Sequence, residues 1–491
     1  MKKDNTSYNQ ILKSTTIFGG SQVITILIGL IRTKIIAVLL GTMGIGLIGI
    51  LQSVIDIMRS TYSLGMDTSG VKEIAMTSAK GDKTTLERTV SRFNLWFRTT
   101  ALLALLTCIV LGYPISNWAF GNGEYALHIA LLSVCVFFVV ITTGRSSILQ
   151  GLRKIPEMAK TTILGSFISL IFTIPIYFIW GIDGIVPAFV VSSFISFLCV
   201  EYYYRKQHLK KVKIPLKEVF SGGMDTLKLG IYIVVSGLVG TVSMFLIRAF
   251  ITKNIGVEAT GLFQASWAIT SVYLGLILRS MGSDFFPRLS AIIENKTEVK
   301  KLVNEQSYIV LLIATPIIVG MLVFSGLVLK LLYSSEFLNA ATILQWQVLG
   351  TFLKVMSWPV AFIMLAKNKG LMFLITEVAF YVVYLLSAYF LYPQYGVDAS
   401  GIGYFIAYVV YFPFVFWIGM QIAGFRWNKD VMMMALINLA LICFAFHTAY
   451  YYPDSLLLGI SVLCISLAYT YYNLRKVFSI DDLKNWFRKK E

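Results

Sequence analysis

The sequence predicts an all-α, polytopic membrane protein: about 14 transmembrane helices in two pseudo-symmetric six-helix lobes, followed by a C-terminal pair. Three observations predict it. Of 491 residues, 57% are apolar and only 14% charged, at a mean hydropathy of +0.75; a soluble chain of this size needs far more polar surface around its core. Apolar runs of about 20 residues, the length that spans the hydrocarbon core of a bilayer, recur along the whole chain. The opening pattern also returns about 215 residues later. Leu30-Ile31-Arg32 is answered by Leu246-Ile247-Arg248, and Gly41…Gly46-Leu47 by Gly256…Gly261-Leu262. Between the anchors the register slips by one residue, as expected after an old duplication.

The first predicted span, 14–40, carries Arg32 and Lys34, and a glycine-rich turn, Gly41 to Leu47, leads into the second, 43–66, which carries Asp56 and Arg59. The polar start, Met1 to Lys13, and the absence of a small-residue cleavage site make the first span a retained helix rather than a secretory signal. Twelve more runs follow: 93–114, 126–149, 161–180, 183–203, 227–251, 259–282, 306–329, 340–365, 370–391, 399–421, 432–450 and 455–474. The loops support this count. With both termini in the cytoplasm, 31 of the 42 Lys and Arg fall in inner segments, and only Lys253 and Lys330 lie in outer ones. Losing one span would scramble that alternation, which follows the positive-inside rule. The domains expected are a lobe over 1–204, a basic linker over 205–225, a second lobe over 226–425, and a terminal pair with its tail over 426–491. Ser479-Ile480-Asp481-Asp482 opens an amphipathic tail, with Ile480, Leu483, Trp486 and Phe487 on one face, that suits the membrane interface. Pro175, Pro187, Pro316, Pro359 and Pro413 interrupt spans, where packed neighbours compensate the lost hydrogen bonds.

The net charge of +17 is explained by cytoplasmic loops and by lysines of the linker suited to anionic lipid headgroups, with no nucleic-acid partner. Cys108, Cys135, Cys199, Cys443 and Cys464 lie in apolar runs without metal-ligand spacing and read as small buried hydrophobes. There is no GxxxxGK[ST] loop, no HExxH and no soluble catalytic loop, so no catalytic residue, metal or cofactor is expected. His128 and His447 read as packing residues near outer helix ends.

The charges inside spans carry the functional information. Nine are cations: Arg32, Lys34, Arg59, Arg98, Arg145, Lys228, Arg248, Arg279 and Lys354. The clear anions are Asp56 and Glu377. A charge near the bilayer centre costs about 3 kcal/mol or more, so it faces a cavity or a partner. Arg98 and Lys228 lie near cytoplasmic helix ends and snorkel. The substrate-binding candidates among the cations are Arg32, Arg59, Arg145, Arg248, Arg279 and Lys354. Arg59 has an alternative, an ion pair with Asp56 three residues away on the same helix face. Glu377 either neutralises Lys354 or carries a coupling proton, and Asp56 is the second ion-coupling candidate. An unbalanced cationic cavity takes an anion, and planar guanidinium groups suit phosphate or pyrophosphate. A cation antiporter would need carboxylates in excess, and a membrane-embedded glycosyltransferase or polymerase a sizeable outer loop or acidic metal-binding motifs.

Lys13-Ser14-Thr15, the Gly41-Thr42-Met43-Gly44-Ile45-Gly46-Leu47 turn, and Leu64-Gly65-Met66 leading into Gly70-Val71-Lys72-Glu73-Ile74-Ala75 resemble the multidrug/oligosaccharidyl-lipid/polysaccharide exporter superfamily. Within it, the chain is most similar to the O-antigen translocases, the Wzx-type flippases, over essentially its whole length. The resemblance implies two lobes that open alternately to each side of a bacterial inner membrane. It implies export of an undecaprenyl-pyrophosphate-linked oligosaccharide (lipid II or another lipid-linked glycan being the alternative cargo) through a cationic cavity. It also implies membrane lipids, a polysaccharide polymerase and a chain-length regulator as partners.

Overall fold

A computed structural model describes residues 4–63, 65–215, 231–452 and 456–477. Its side chains are described from residue 20 onward, apart from residues 68, 231–233, 272–274, 276, 277, 279, 280 and 283. The amphipathic tail, Lys228 and much of the basic linker therefore lie outside the described residues, as does the Arg279 side chain.

Every regular element among the described residues is helical. In order they are α1 (Asp4–Ser63), α2 (Met66–Ala79), α3 (Lys83–Val110), α4 (Gly112–Phe120), α5 (Ala126–Gly151), α6 (Ile155–Trp180), α7 (Ile185–Arg205), α8 (Ile231–Asn254), α9 (Val257–Ala291), α10 (Lys296–Val323), α11 (Ser325–Leu332), α12 (Ala341–Ala366), α13 (Gly370–Tyr395), α14 (Ala399–Ala423), α15 (Lys429–Tyr451) and α16 (Leu456–Val477). Ten stretches among the described residues are long and apolar enough to cross a membrane. Three of them, 44, 51 and 54 residues long, are about twice the length one crossing needs. Each is interrupted. The first breaks at Gly41 inside α1, the second at the 310 turn Gly181–Gly184, the third at Gly396–Asp398.

The break in α1 is narrower than the seven-residue turn expected. Gly41 alone leaves the helical region, at φ 61° and ψ −162°, and Thr42 to Leu47 already belong to the second arm. Such a φ is open to glycine without a Cβ penalty. The same device recurs. Gly41 and Gly256, Arg153 and Asn368, and Gly181 and Gly396 are all at positive φ, and each pair is 215 positions apart. Gly181 (φ 55°, ψ −128°) and Gly396 (φ 54°, ψ −132°) are nearly superposable turns. The duplication seen at the head of the sequence thus extends through three equivalent backbone turns.

Short helices at α2, α4 and α11 were not expected; each is too short to span. Helix α3 starts at Lys83 instead of residue 93, because Asp82 caps it. The Asp82 Oδ1 accepts from the Thr84 amide at 3.0 Å and hydroxyl at 2.6 Å, and its Oδ2 from the Thr85 hydroxyl. The Thr84 and Thr85 hydroxyls hold this carboxyl down to about 2, the behaviour of an N-cap that must stay ionised to accept.

Two compact units divide the chain, one over Met1–Gly261 with Leu332–Ser334, the other over Leu262–Leu331 with Ser335–Glu491. The division falls beyond the basic linker because α8 packs on α1 and α4. In the first unit α5 lies against α3, α7 and α2, and α6 against α1 and α7. In the second, α12 and α13 pack on α14, and α10 on α12, α15 and α16. The five cysteines are free; Cys443 and Cys464 are exposed, against expectation. Both sit on helices long and apolar enough to cross a membrane.

Candidate functional site: a polar chamber in the N-terminal unit

Helices α1, α2, α5 and α7 enclose a chamber of about 630 Å³. The two arms of α1 supply Arg32, Gln52, Asp56 and Arg59, and the first turn of α2 supplies Asp67. Asp56 and Arg59 are three residues apart, so they share a face; Oδ1 and Nη2 stand 3.7 Å apart, with the guanidinium side chain 45% exposed. That pair is loose. A guanidinium carries five N–H donors, so most of those of Arg59 are left to the chamber. Arg32 lies beside the buried Tyr177 hydroxyl of α6.

The opposite wall is built from hydroxyls. Thr142, Thr143, Ser146 and Ser147 of α5 recur at i, i+1, i+4 and i+5, and Ser192, Ser193 and Ser196 of α7 at i, i+1 and i+4. Each set forms one helical face. Their protons are largely spent on their own helices: Thr143 donates to the Val139 carbonyl at 2.9 Å, Ser147 to Thr143 at 2.9 Å, Ser193 to Val190 at 2.8 Å and Ser196 to Ser192 at 2.8 Å. Hydroxyls bonded back in this way keep oxygen lone pairs free to accept. The Thr142 Oγ1 is buried without a protein partner. The chamber therefore offers hydroxyl acceptors on one side and, on the other, the donors Arg32 and Arg59 interspersed with the Asp56 and Asp67 carboxylates.

The expected surplus of cations is not found in this lining. Two arginines face two aspartates, Asp56 and Asp67. Arg248 lies behind it: 8% exposed, it donates from Nη1 to the Ser53 hydroxyl at 2.9 Å, and its charge also acts on Asp56. Arg248 thus braces the Asp56 side of the chamber instead of lining it.

Arg145 corrects the expectation more fully. It is 5% exposed and is not part of the chamber lining, its Nε 2.8 Å from a carboxylate oxygen of Glu201. Its Nη1 donates to Asn94, and its guanidinium carbon lies 4.1 Å from the Tyr204 ring centroid. A buried cation with a carboxylate, an amide and an aromatic face around it is compensated internally. Glu201 was missed because it sits four residues before Arg205, which pairs with its other oxygen at 2.8 Å, and reads as part of a helix-end surface pair. Arg98 is exposed.

In the second unit, Glu377 accepts a hydrogen bond from the Tyr411 hydroxyl at 3.0 Å and lies in the field of Lys354. These two therefore act on each other, within their own unit. No group of three or more His, Cys, Asp or Glu that could hold a metal occurs among the described residues.

Comparison with known proteins places the chain among relatives. Residues 35–342 match the model of the family described as "Polysaccharide biosynthesis protein". The lipid III flippase of Escherichia coli strain K12 is 22% identical over 413 residues, covering 82% of this chain and 96% of that protein. Among solved structures, an inward-facing multidrug resistance MATE family transporter of the MOP superfamily matches at a TM-score of 0.69 and 19% identity, over 82% of this chain and 95% of that one. The lipid II flippase MurJ, in an inward closed conformation, matches at 0.68 and 15% identity, over 93% and 99%. At these identities the two structures show a shared fold.

Proposed function

Because the chain belongs to the polysaccharide biosynthesis protein family, we propose that it is a flippase for lipid-linked glycans, moving a polyprenyl-pyrophosphate-linked oligosaccharide across the bacterial inner membrane. The observation that carries this reading is the two-sided chamber. Arg32 and Arg59 donate toward a pyrophosphate, and the hydroxyl faces of α5 and α7 accept from sugar hydroxyls, while the polyprenyl tail stays in lipid. A lipid III flippase among its relatives supports the same cargo class.

In this reading the chain crosses the membrane fourteen times with both termini in the cytoplasm, the orientation favoured by the lysine and arginine bias. Outward movement of an anion across an inside-negative membrane is favourable by roughly 2.3 kcal/mol per charge per 100 mV. Asp56 and Glu377 are the groups on which a coupling ion would act. A polysaccharide polymerase and a chain-length regulator are the partners that would receive the exported unit.

The test is flipping of a labelled lipid-linked oligosaccharide in proteoliposomes. The wild type should move it, and Arg32→Gln/Arg59→Gln should slow it by about 10- to 100-fold, a total loss of about 1.5–3 kcal/mol, the worth of one charge-assisted hydrogen bond. Because Asp56 and Asp67 would also suit a cationic ligand, the same vesicles are challenged with a cationic dye. Dye efflux without oligosaccharide flipping overturns the proposal.

A further inference from the structure

A second, larger cavity lies in the C-terminal unit, where α10, α15 and α16 enclose a groove of about 1100 Å³. That exceeds the roughly 300–1,000 Å³ of ordinary small-molecule pockets. Its lining is sorted by depth. Lys300 and Lys301 lie in the second turn of α10, Asp430 at the start of α15, and Lys476 in the last turn of α16. Tyr308 of α10 and Tyr469 of α16 lie about two turns further in, roughly 11 Å along their helices, and Met433 and Met434 of α15 one turn further in.

Hydrogen bonds hold the three helices in this arrangement. The Asn428 amide donates to Asn304 Oδ1 at 2.8 Å, joining the start of α15 to α10, and the Tyr308 hydroxyl donates to Asn473 Oδ1 at 3.3 Å, joining α10 to α16. The Lys476 ammonium lies 4.2 Å from the Tyr472 ring centroid, which keeps it at the groove mouth. Met433 and Tyr472 are 61% and 60% exposed. On helices that cross a membrane such apolar exposure faces lipid, so the groove opens sideways into the bilayer.

Charge selects the occupant. Three lysines in the lining face Glu305 and Asp430, and the flanking residues add Lys296, Arg426, Lys429 and Arg475 against Glu294 and Glu298. The mouth is thus net positive, while the deep part is aromatic and thioether. Basic pockets between transmembrane helices at headgroup depth attract anionic lipids, and tyrosines suit the boundary between headgroup and chain. We propose that the groove is a resident site for an anionic phospholipid, distinct from the cargo chamber. Its phosphate lies among Lys300, Lys301 and Lys476, and its acyl chains run along Tyr308, Met433 and Tyr469. The bound lipid fastens α15 and α16 to α10.

The test uses the purified full chain, with lipids retained after delipidation counted by native mass spectrometry and thermal unfolding followed on adding defined lipids. Phosphatidylglycerol should be retained and raise the Tm by several degrees. Phosphatidylcholine, phosphatidylethanolamine and inorganic phosphate should not. Lys300→Gln/Lys301→Gln/Lys476→Gln should cut the shift at least threefold and the Lys→Arg triple variant should restore it, which separates lost binding from misfolding. Lys210→Gln/Lys211→Gln/Lys213→Gln, in the exposed linker, should leave it intact. Equal effects of the three lipids, an equal effect of free phosphate, or loss of the shift in the linker variant would each overturn the site.

Discussion

Gly46 and Gly261 occupy the same position of the repeated motif, and each lies against the other's helix. A Cβ on Gly46 would collide with the Val257 carbonyl, and one on Gly261 with that of Thr42. Thr42 and Val257 are themselves equivalent, each directly following a positive-φ glycine, Gly41 or Gly256. The second arm of α1 and the start of α9 therefore cross by a reciprocal contact at two glycines, the kind of small-residue contact by which helices approach closely in lipid. Gly46→Ala and Gly261→Ala should each destabilise by about 1–3 kcal/mol through overpacking. Gly29→Ala, with nothing within 4 Å of the added carbon, should be neutral or slightly stabilising. Thermal unfolding in detergent checks this; an unchanged Tm in both crossing variants would remove the contact.

Arg145 and Glu201 form a structural pair. Removing one partner leaves an uncompensated buried charge at about 3–5 kcal/mol, whereas replacing both by apolar residues is far milder. Arg145→Met and Glu201→Met should each lower the Tm markedly, and the double variant should recover most of the loss. The double variant should also keep flipping near wild-type rates. Lost transport in a fully folded double variant would return Arg145 to the cargo path.

The lysine and arginine bias predicts which loops face which side. In a background with the five cysteines replaced, Lys80→Cys and Asn122→Cys, both exposed, are probed in intact cells with a membrane-impermeant maleimide. Asn122→Cys should react and Lys80→Cys should stay protected until the membrane is broken. The reverse pattern would invert the topology.

Much of the fold is legible in the sequence because bilayer thickness fixes the length of an apolar run, and because glycine marks the breaks at Gly41, Gly181 and Gly396. The short helices escaped because α2 mixes charged with apolar residues and is too short to show a span. The chamber was half legible. Arg32, Asp56 and Arg59 stand out as charges in oil, but the seven hydroxyls of α5 and α7 look unremarkable singly. Only their matching i, i+1, i+4 spacing signals a shared polar wall. Arg145 misled because a cation in a span advertises a cavity, while its compensation comes from Glu201, Asn94 and Tyr204, distant in sequence.

The central claim is that Arg32 and Arg59 hold the pyrophosphate. Titration calorimetry of the purified protein with a short polyprenyl pyrophosphate measures it directly. Arg32→Gln/Arg59→Gln should weaken Kd at least tenfold, with the Arg145→Met/Glu201→Met protein binding as the wild type does. Undiminished affinity in the folded Arg32→Gln/Arg59→Gln protein would contradict the account.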